Sequence, residues 1–396
     1  MSYDYPTAFS LWGPEEHAAL DRVLTSGKFT MGEVVAAFES EFAAFHKMKH
    51  AVMVNSGSSA NLIAIATLFN KQDNPLKRGD KVIVPALAWS TTYSPLVQHG
   101  LELILADCDG TWNANDPHSC VGGLGGFPRL IVGCSILGNP GHLRWWQEAA
   151  RATGAYFIED NCESLGAQAV ANLPVDKHQR VSARGRDNFK LCGTFGLMNT
   201  FSLFWSHQLS AIEGGVVLTD DDECAKLCRM LRAHGWSRDV EPPQTFDQEY
   251  DFRLFGYNVR PLELHAAIAR EQLKKLDGFR RQREQGLNNF ATWAYGLPIT
   301  LQRKNGIQSP FGIAFTVESR EVRQKLVTAL RANGIDCRLP TGGSFTKHIY
   351  GKHWADQATP NADKIHETGM FLGLAPYDIN DKIERAVDVM RGILRG

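Results

Sequence analysis

No stretch of the 396 residues approaches the roughly 18 consecutive apolar residues that a membrane-crossing helix needs. The segment from Met1 to Trp12 lacks the basic start and apolar core of a secretory leader, so a cytoplasmic protein is expected. Charge of one sign is missing too. Against 43 Asp and Glu stand 42 Lys and Arg, and the net charge of −1 leaves no whole-molecule field to draw nucleic acid or an anionic membrane. The eight cysteines (Cys108, Cys120, Cys134, Cys162, Cys192, Cys224, Cys228 and Cys337) are scattered, as suits reduced, buried thiols. Cys224 and Cys228 stand four apart and have the spacing to share a metal, but no second Cys or His pair nearby completes a four-ligand set. No metal site is therefore expected. Closely spaced Cys-x-Cys with a third cysteine is likewise absent, which argues against an iron-sulfur cluster.

What is present is a chain 43% hydrophobic and 21% charged, long enough for two domains. From about residue 50 to 220, short β-rich runs alternate with helical stretches, the pattern of a mostly parallel sheet flanked by helices. The expected strands are Ala51–Asn55, Lys81–Pro85, Leu101–Ala106, Leu130–Ser135, Ala155–Glu159, Asn199–Trp205 and Gly215–Thr219. Helices are expected at Ser59–Leu68, Leu143–Ala152 and Asp222–His234, on their three- and four-residue apolar spacing. The polar stretch Gln168 to Lys190 reads as a surface excursion, and Glu241 to Gln248 as a second loop. Beyond it, a helix from Pro261 towards Gln285, a strand at Phe311–Val317 and helices at Arg320–Asn333 and Asn361–Phe371 make a smaller α+β domain. The division is expected near 245: a large domain over 1–245, including the N-terminal segment, and a small one over 246–396.

Ligands of such sheets sit beyond the carboxyl ends of the strands, and several residues there can carry chemistry. The run Ser56-Gly57-Ser58-Ser59 lies at a strand-to-helix turn, where outward backbone N–H groups suit a phosphate; the same residues also make an ordinary helix N-cap. Asp160, after the apolar Tyr156-Phe157-Ile158, is placed either to hold a protonated ring nitrogen or to cap a helix. Trp89 offers a flat face to a heteroaromatic ring, or packs in the core. His207, at the exit of the strand beginning Phe201-Ser202, is either a structural histidine or a base.

Taken in order, Gly57-Ser58-Ser59-Ala60, Trp89, Glu159-Asp160, Gly193-Thr194-Phe195-Gly196, Phe201-Ser202 to His207, Glu213-Gly214-Gly215 and Gly256-Tyr257-Asn258-Val259-Arg260 resemble the sugar aminotransferase superfamily of fold-type-I pyridoxal-phosphate enzymes over nearly the whole chain. The resemblance implies that Gly57, Ser58, Ser59 and Ser206 bind the cofactor phosphate. It implies that Trp89 stacks on the pyridine ring, Asp160 pairs with its nitrogen and Glu163 lies near its phenolic oxygen. Asn258 would reach the phosphate from a neighbouring subunit, which makes the protein a homodimer with a shared site.

One departure stands out. Where the family pattern has lysine, this chain has His207, in Trp205-Ser206-His207-Gln208, and Lys190 lies seventeen positions upstream, outside the motif. An imidazole forms no Schiff base with an aldehyde, so the cofactor must be held non-covalently. Histidine there resembles the sugar 3-dehydratase branch. That likeness implies pyridoxamine phosphate as the working cofactor and a nucleotide-linked 4-keto-6-deoxy sugar, GDP-linked by the same likeness, as substrate. It also implies L-glutamate as amino donor and ammonia as product, with His207 shuttling the protons. Arg338 is a candidate for gripping an anionic group of donor or substrate, or else a structural ion pair; His234 and Arg232 are further candidates. The competing readings are a nucleotide-sugar aminotransferase in which His207 stands in for lysine, and a non-catalytic regulator that kept the fold.

Overall fold

The computed structural model describes residues 3–114, 127–172 and 188–395. The strands are β1 (His50–Val54), β2 (Lys81–Pro85), β3 (Glu102–Ala106), β4 (Leu130–Cys134), β5 (Tyr156–Asp160), β6 (Gln168–Val170), β7 (Phe189–Leu191), β8 (Met198–Ser202), β9 (Gly215–Thr219), β10 (Thr300–Leu301), β11 (Gly312–Thr316), β12 (Cys337–Arg338) and β13 (Gly369–Gly373). The α-helices are α1 (Pro14–Ser26), α2 (Glu33–His46), α3 (Gly57–Asn70), α4 (Ser90–Gln98), α5 (Leu143–Thr153), α6 (Asp222–Arg232), α7 (Glu263–Trp293), α8 (Arg320–Ala332), α9 (Pro360–Thr368) and α10 (Asn380–Leu394).

The main sheet runs β1-β9-β8-β5-β4-β2-β3. Only β9 opposes its neighbours; the other pairings are parallel, and the parallel strands are apolar almost throughout because helices cover both faces. One consequence matters for function: β1, β2, β5 and β8 all point their carboxyl ends to the same edge. A second, antiparallel sheet, β10-β11-β13-β12, carries its own core of Ile313, Phe315, Leu372 and the helices α8 and α10. The N-terminal segment, expected with the large unit, sends Tyr5 and Phe9 into that second core, and Tyr5 Oη donates to the carbonyl of Gly373 at 2.9 Å. The long α7 spans both cores, with Ile268 in one and Phe290 in the other.

Two corrections concern the second sheet and the excursion. The helix expected over Asn361–Phe371 ends at Thr368, and the Gly-Met-Phe-Leu-Gly run becomes β13, an inner strand paired on both sides. The ends of the excursion, β6 and β7, pair as an antiparallel ribbon, while 173–187 lie outside the described residues. Cys224 and Cys228 face inward against α3, where Cys228 Sγ meets Thr67 Oγ1 at 3.2 Å, as packing thiols would. Among the described residues, no helix is long and apolar enough to cross a membrane.

Candidate active site

A cavity of about 350 Å³ opens at the shared carboxyl edge, within the size range of small-ligand pockets. It collects residues far apart in sequence: Ser56, Gly57 and Ser58 after β1, Trp89 and Thr92 after β2, Asp160 and Glu163 at and after β5, and Ser202, Ser206 and His207 at and after β8. The second sheet closes it with Phe311, Arg338, Thr341 and Phe371.

At the α3 end both readings of the serine run are realised at once. Ser56 Oγ accepts the N–H of Ser59 at 3.1 Å, an ordinary N-cap, and Ser59 thereby faces its own helix rather than the cavity. Gly57 and Ser58 remain on the cavity wall, Ser58 Oγ 2.8 Å from Thr91 Oγ1. Position 57 admits no side chain: a Cβ would stand 2.5 Å from Ser202 Cβ and 2.9 Å from Cys162 Sγ. The helix N-terminus thus meets the end of β8 backbone-first, a cradle suited to a phosphate.

Asp160 is the last residue of β5 rather than the first beyond it, and it is buried. Its Oδ2 accepts from Asn61 Nδ2 (2.9 Å) and Thr92 Oγ1 (2.7 Å), and its Oδ1 from the Cys162 N–H (3.1 Å). Held by three donors, the carboxyl group has lone pairs left for a cationic N–H inside the cavity. Asn61 is in turn fixed by Thr200 Oγ1 at 2.6 Å. Sequence reasoning missed Asn61 and Thr92; the signal available was a polar residue on the otherwise apolar face of α3. Trp89 is 56% exposed at the start of α4, so core packing is not its role; its indole face borders the cavity.

Glu163 accepts the N–H of Leu137 at 2.7 Å, and Leu137 holds a left-handed backbone (φ 52°) that a leucine rarely adopts. Burial pushes the Glu163 carboxyl up to about 8, with the nearby Asp160 charge adding, against the Leu137 hydrogen bond. Glu159, in contrast, turns away from the cavity and takes the N–H groups of Gly193 and Phe195; burial lifts it to about 7.

His207 lines the cavity with its ring edge-on to Phe204 (5.7 Å between centroids) and tilted against Phe311 (5.4 Å). Burial holds the imidazole down to about 4, and the Arg283 guanidinium works the same way, while the Asp160 carboxylate pulls up. The ring is neutral at physiological pH, and its Nδ1 has no hydrogen-bond partner among the described residues. Among the described residues no lysine lines the cavity; Lys190, on β7, donates to the carbonyl of Thr194 at 2.6 Å.

The remaining candidates divide. Arg338, half exposed at the end of β12 with Asp336 at 3.6 Å, does reach the cavity. Arg232 does not: it is buried at the end of α6, bonded to Glu39 (2.6 Å) and to the carbonyl of Met53 (2.8 Å). His234 is also outside, in a left-handed turn (φ 65°) whose N–H donates to Tyr257. Asn258 lies beside it, bonded to Arg260 at 3.0 Å and off the cavity wall of its own chain. A residue that sequence reasoning missed is Thr341, in a left-handed turn (φ 45°) followed by two glycines. It is 4% exposed, and its buried Oγ1, on the cavity wall, has no hydrogen-bond partner among the described residues.

The chain has counterparts among known proteins. The chain is 37% identical to the GDP-4-keto-6-deoxy-D-mannose 3-dehydratase of Escherichia coli O55:H7 over 98% of its own length and all of that enzyme's. A crystal structure of GDP-4-keto-6-deoxymannose-3-dehydratase with a trapped PLP-glutamate geminal diamine matches at a TM-score of 0.88 and 36% identity, covering 98% of this chain and 100% of that one. A histidine-to-asparagine mutant of such a dehydratase with bound GDP-perosamine matches with the same score, identity and coverage. The fold is that of the fold-type-I pyridoxal-phosphate enzymes. The model of the DegT/DnrJ/EryC1/StrS aminotransferase family matches residues 12–391, and the chain belongs to that family.

Proposed function

We propose that this enzyme removes the C3 hydroxyl from a GDP-linked 4-keto-6-deoxy hexose, GDP-4-keto-6-deoxymannose, with non-covalently held pyridoxamine phosphate as cofactor. L-Glutamate restores the amine, so the balance is sugar plus glutamate giving the 3-deoxy-4-keto sugar, 2-oxoglutarate and ammonia. The observation that carries this reading is His207 on a cavity wall that holds Asp160 and Trp89 and, among the described residues, no lysine. A chain with histidine at this position retains a proton carrier and loses the covalent anchor. The close relatives named for this dehydration support the choice of substrate.

The residues present fit the cofactor. Gly57, Ser58 and Ser206 would hold its phosphate in the backbone cradle, Trp89 would cover its ring, Asp160 would face the ring nitrogen and Glu163 the phenolic oxygen. When bound, it supplies an amine that condenses with the C4 ketone and a protonated ring that accepts electrons. Asp160, fixed by Asn61 and Thr92, keeps that nitrogen protonated. His207, neutral, would act as the proton carrier, taking a proton at the reacting carbon and returning one to the departing C3 oxygen. Phe204, Phe311 and Phe371 line the same cavity and keep water from competing for the proton. In the glutamate half-reaction the same imidazole moves the α-proton, and Arg338 faces the donor's carboxylate.

Asn258 would complete the site of a second copy in a homodimer. The fully exposed Phe255 and the exposed Phe252 flank it on a surface suited to such burial. The enzyme would act in the cytoplasm, in deoxysugar formation for the colitose of an O-antigen lipopolysaccharide. Incubating the protein with pyridoxal phosphate, glutamate and GDP-4-keto-6-deoxymannose tests the reading. Ammonia and a 3-deoxy sugar nucleotide are expected. An aminated sugar without ammonia makes it an aminotransferase instead, and no turnover with the cofactor bound favours a regulator.

A further inference from the structure

Arg283 is an unusual residue for its place. It lies near the middle of α7, is 3% exposed, and has no carboxylate partner among the described residues. A buried guanidinium is costly unless its N–H groups are taken up. Here backbone carbonyls take them: Nη2 donates to His207 (3.3 Å), Nη1 to Gln208 (3.2 Å) and Nε to Leu374 (3.3 Å). Two of these are the main chain of the histidine turn itself. The third follows β13, where the Leu374 N–H bonds the carbonyl of Phe311 (3.1 Å), the residue whose ring lies against the imidazole. The turn is fastened from the other side by Gln208 Nε2, which donates to the carbonyls of Glu163 (2.6 Å) and Ser309 (2.9 Å).

We infer that Arg283 is a positioning residue for the reaction, a strut from α7 that fixes the His207–Gln208 turn to the second sheet and holds a fixed cation at the histidine's main chain. The inference rests on the reading of His207 as the proton carrier. Its electrostatic half follows from sign: a fixed cation beside an imidazole disfavours the imidazolium. The other titratable groups on the cavity wall are Asp160 from β5, Glu163 beyond it, Glu213 before β9 and Arg338 on β12; Arg283 on α7 is the cation bonded to the main chain of the base itself. Its geometric half follows from the fork: three carbonyls on two segments are satisfied by a planar guanidinium and not by an ammonium.

The test uses Arg283→Met and Arg283→Lys in two measurements. One is the NMR titration of the His207 ring in the cofactor-free protein, assigned with His207→Asn. The other is the single-turnover rate of the glutamate half-reaction, followed by cofactor absorbance. Arg283→Met should raise the proton affinity of His207 about tenfold, equivalent to about one pH unit, and slow the half-reaction. Arg283→Lys should keep the titration near wild type and still be slower, because the fork is gone. If the methionine variant does not fold, the lysine variant decides alone, and a wild-type rate in it overturns the inference. A folded methionine variant with the wild-type titration also overturns it. Should His207→Asn turn over normally, the reading of His207 fails whatever Arg283 does; an inert His207→Asn beside unaffected Arg283 variants sinks the strut alone.

Discussion

Asn61 Nδ2 lies 2.9 Å from Asp160 Oδ2, joining the first turns of α3 to the end of β5 across the floor of the cavity. Thr200 Oγ1 holds the opposite end of the same amide at 2.6 Å. Replacing Asn61 by Leu leaves Thr200 with only the more distant Glu159 carbonyl (3.5 Å) as acceptor and Asp160 without one of its donors. Loss of one such charge-assisted bond costs about 1.5–3 kcal/mol, and part of it should appear as pyridoxal-phosphate affinity weakened by roughly tenfold or more. Fluorescence or absorbance titration of the apoprotein measures this. An Asn61→Leu variant that binds the cofactor like wild type would remove Asn61 from the site.

Trp89 is exposed, so its substitution should separate binding from stability. Trp89→Ala should weaken cofactor binding by roughly tenfold, the scale of a lost aromatic stack, with a folding stability within about 0.5 kcal/mol of wild type. Trp89→Phe should recover most of the affinity. Equal loss in the alanine and phenylalanine variants would contradict the stacking role.

The two shifted groups on the cavity wall give opposite pH signatures. His207 has a folded value near 4 against an ordinary 6.5, so unfolding takes up a proton and stability falls as pH drops from 6.5 towards 4. Glu163 has a folded value near 8 against an ordinary 4.5, so unfolding releases a proton and stability falls as pH rises from 4.5 towards 8. Thermal melts across pH should show His207→Asn flattening the acid side and Glu163→Gln flattening the neutral-to-alkaline side. Melting curves of the two variants that run parallel to wild type would refute these shifts.

Thr341 keeps a buried hydroxyl without a partner on the cavity wall. Valine has the same shape and no hydroxyl. Thr341→Val should leave Tm unchanged or higher, because a buried polar group goes, and lower kcat/KM for the sugar nucleotide about tenfold, the worth of one substrate hydrogen bond. An unchanged kcat/KM would mean that the hydroxyl meets no substrate.

Much of this architecture was legible from pattern alone. Lys81–Pro85 and Gly215–Thr219 form strands with the boundaries their apolar runs suggest, because Asp80 and the proline bound the first, and Gly214 and Asp220 the second. The run Gly369–Gly373 was not legible. Five residues are too few for period to tell a strand from the last turn of a helix, and only its pairing to β11 and β12 decides. Residues on a shared motif, such as Asp160, Trp89 and His207, converge on one cavity. Asn61, Thr92, Arg283 and Thr341 act through partners 68 to 139 residues away or through backbone geometry, which no local spacing records. Arg232 and His234 erred the other way: a charged run near the site in sequence turns into a buried ion pair and a tight turn.

The central claim is that His207 carries the proton in a site that no lysine lines among the described residues. Exchange of the glutamate α-hydrogen with deuterated solvent, in the presence of pyridoxal phosphate, reads that step alone. Wild type should exchange, and His207→Asn should bind the cofactor with its absorbance intact while exchange falls to the uncatalysed level; exchange by His207→Asn at the wild-type rate would contradict the account.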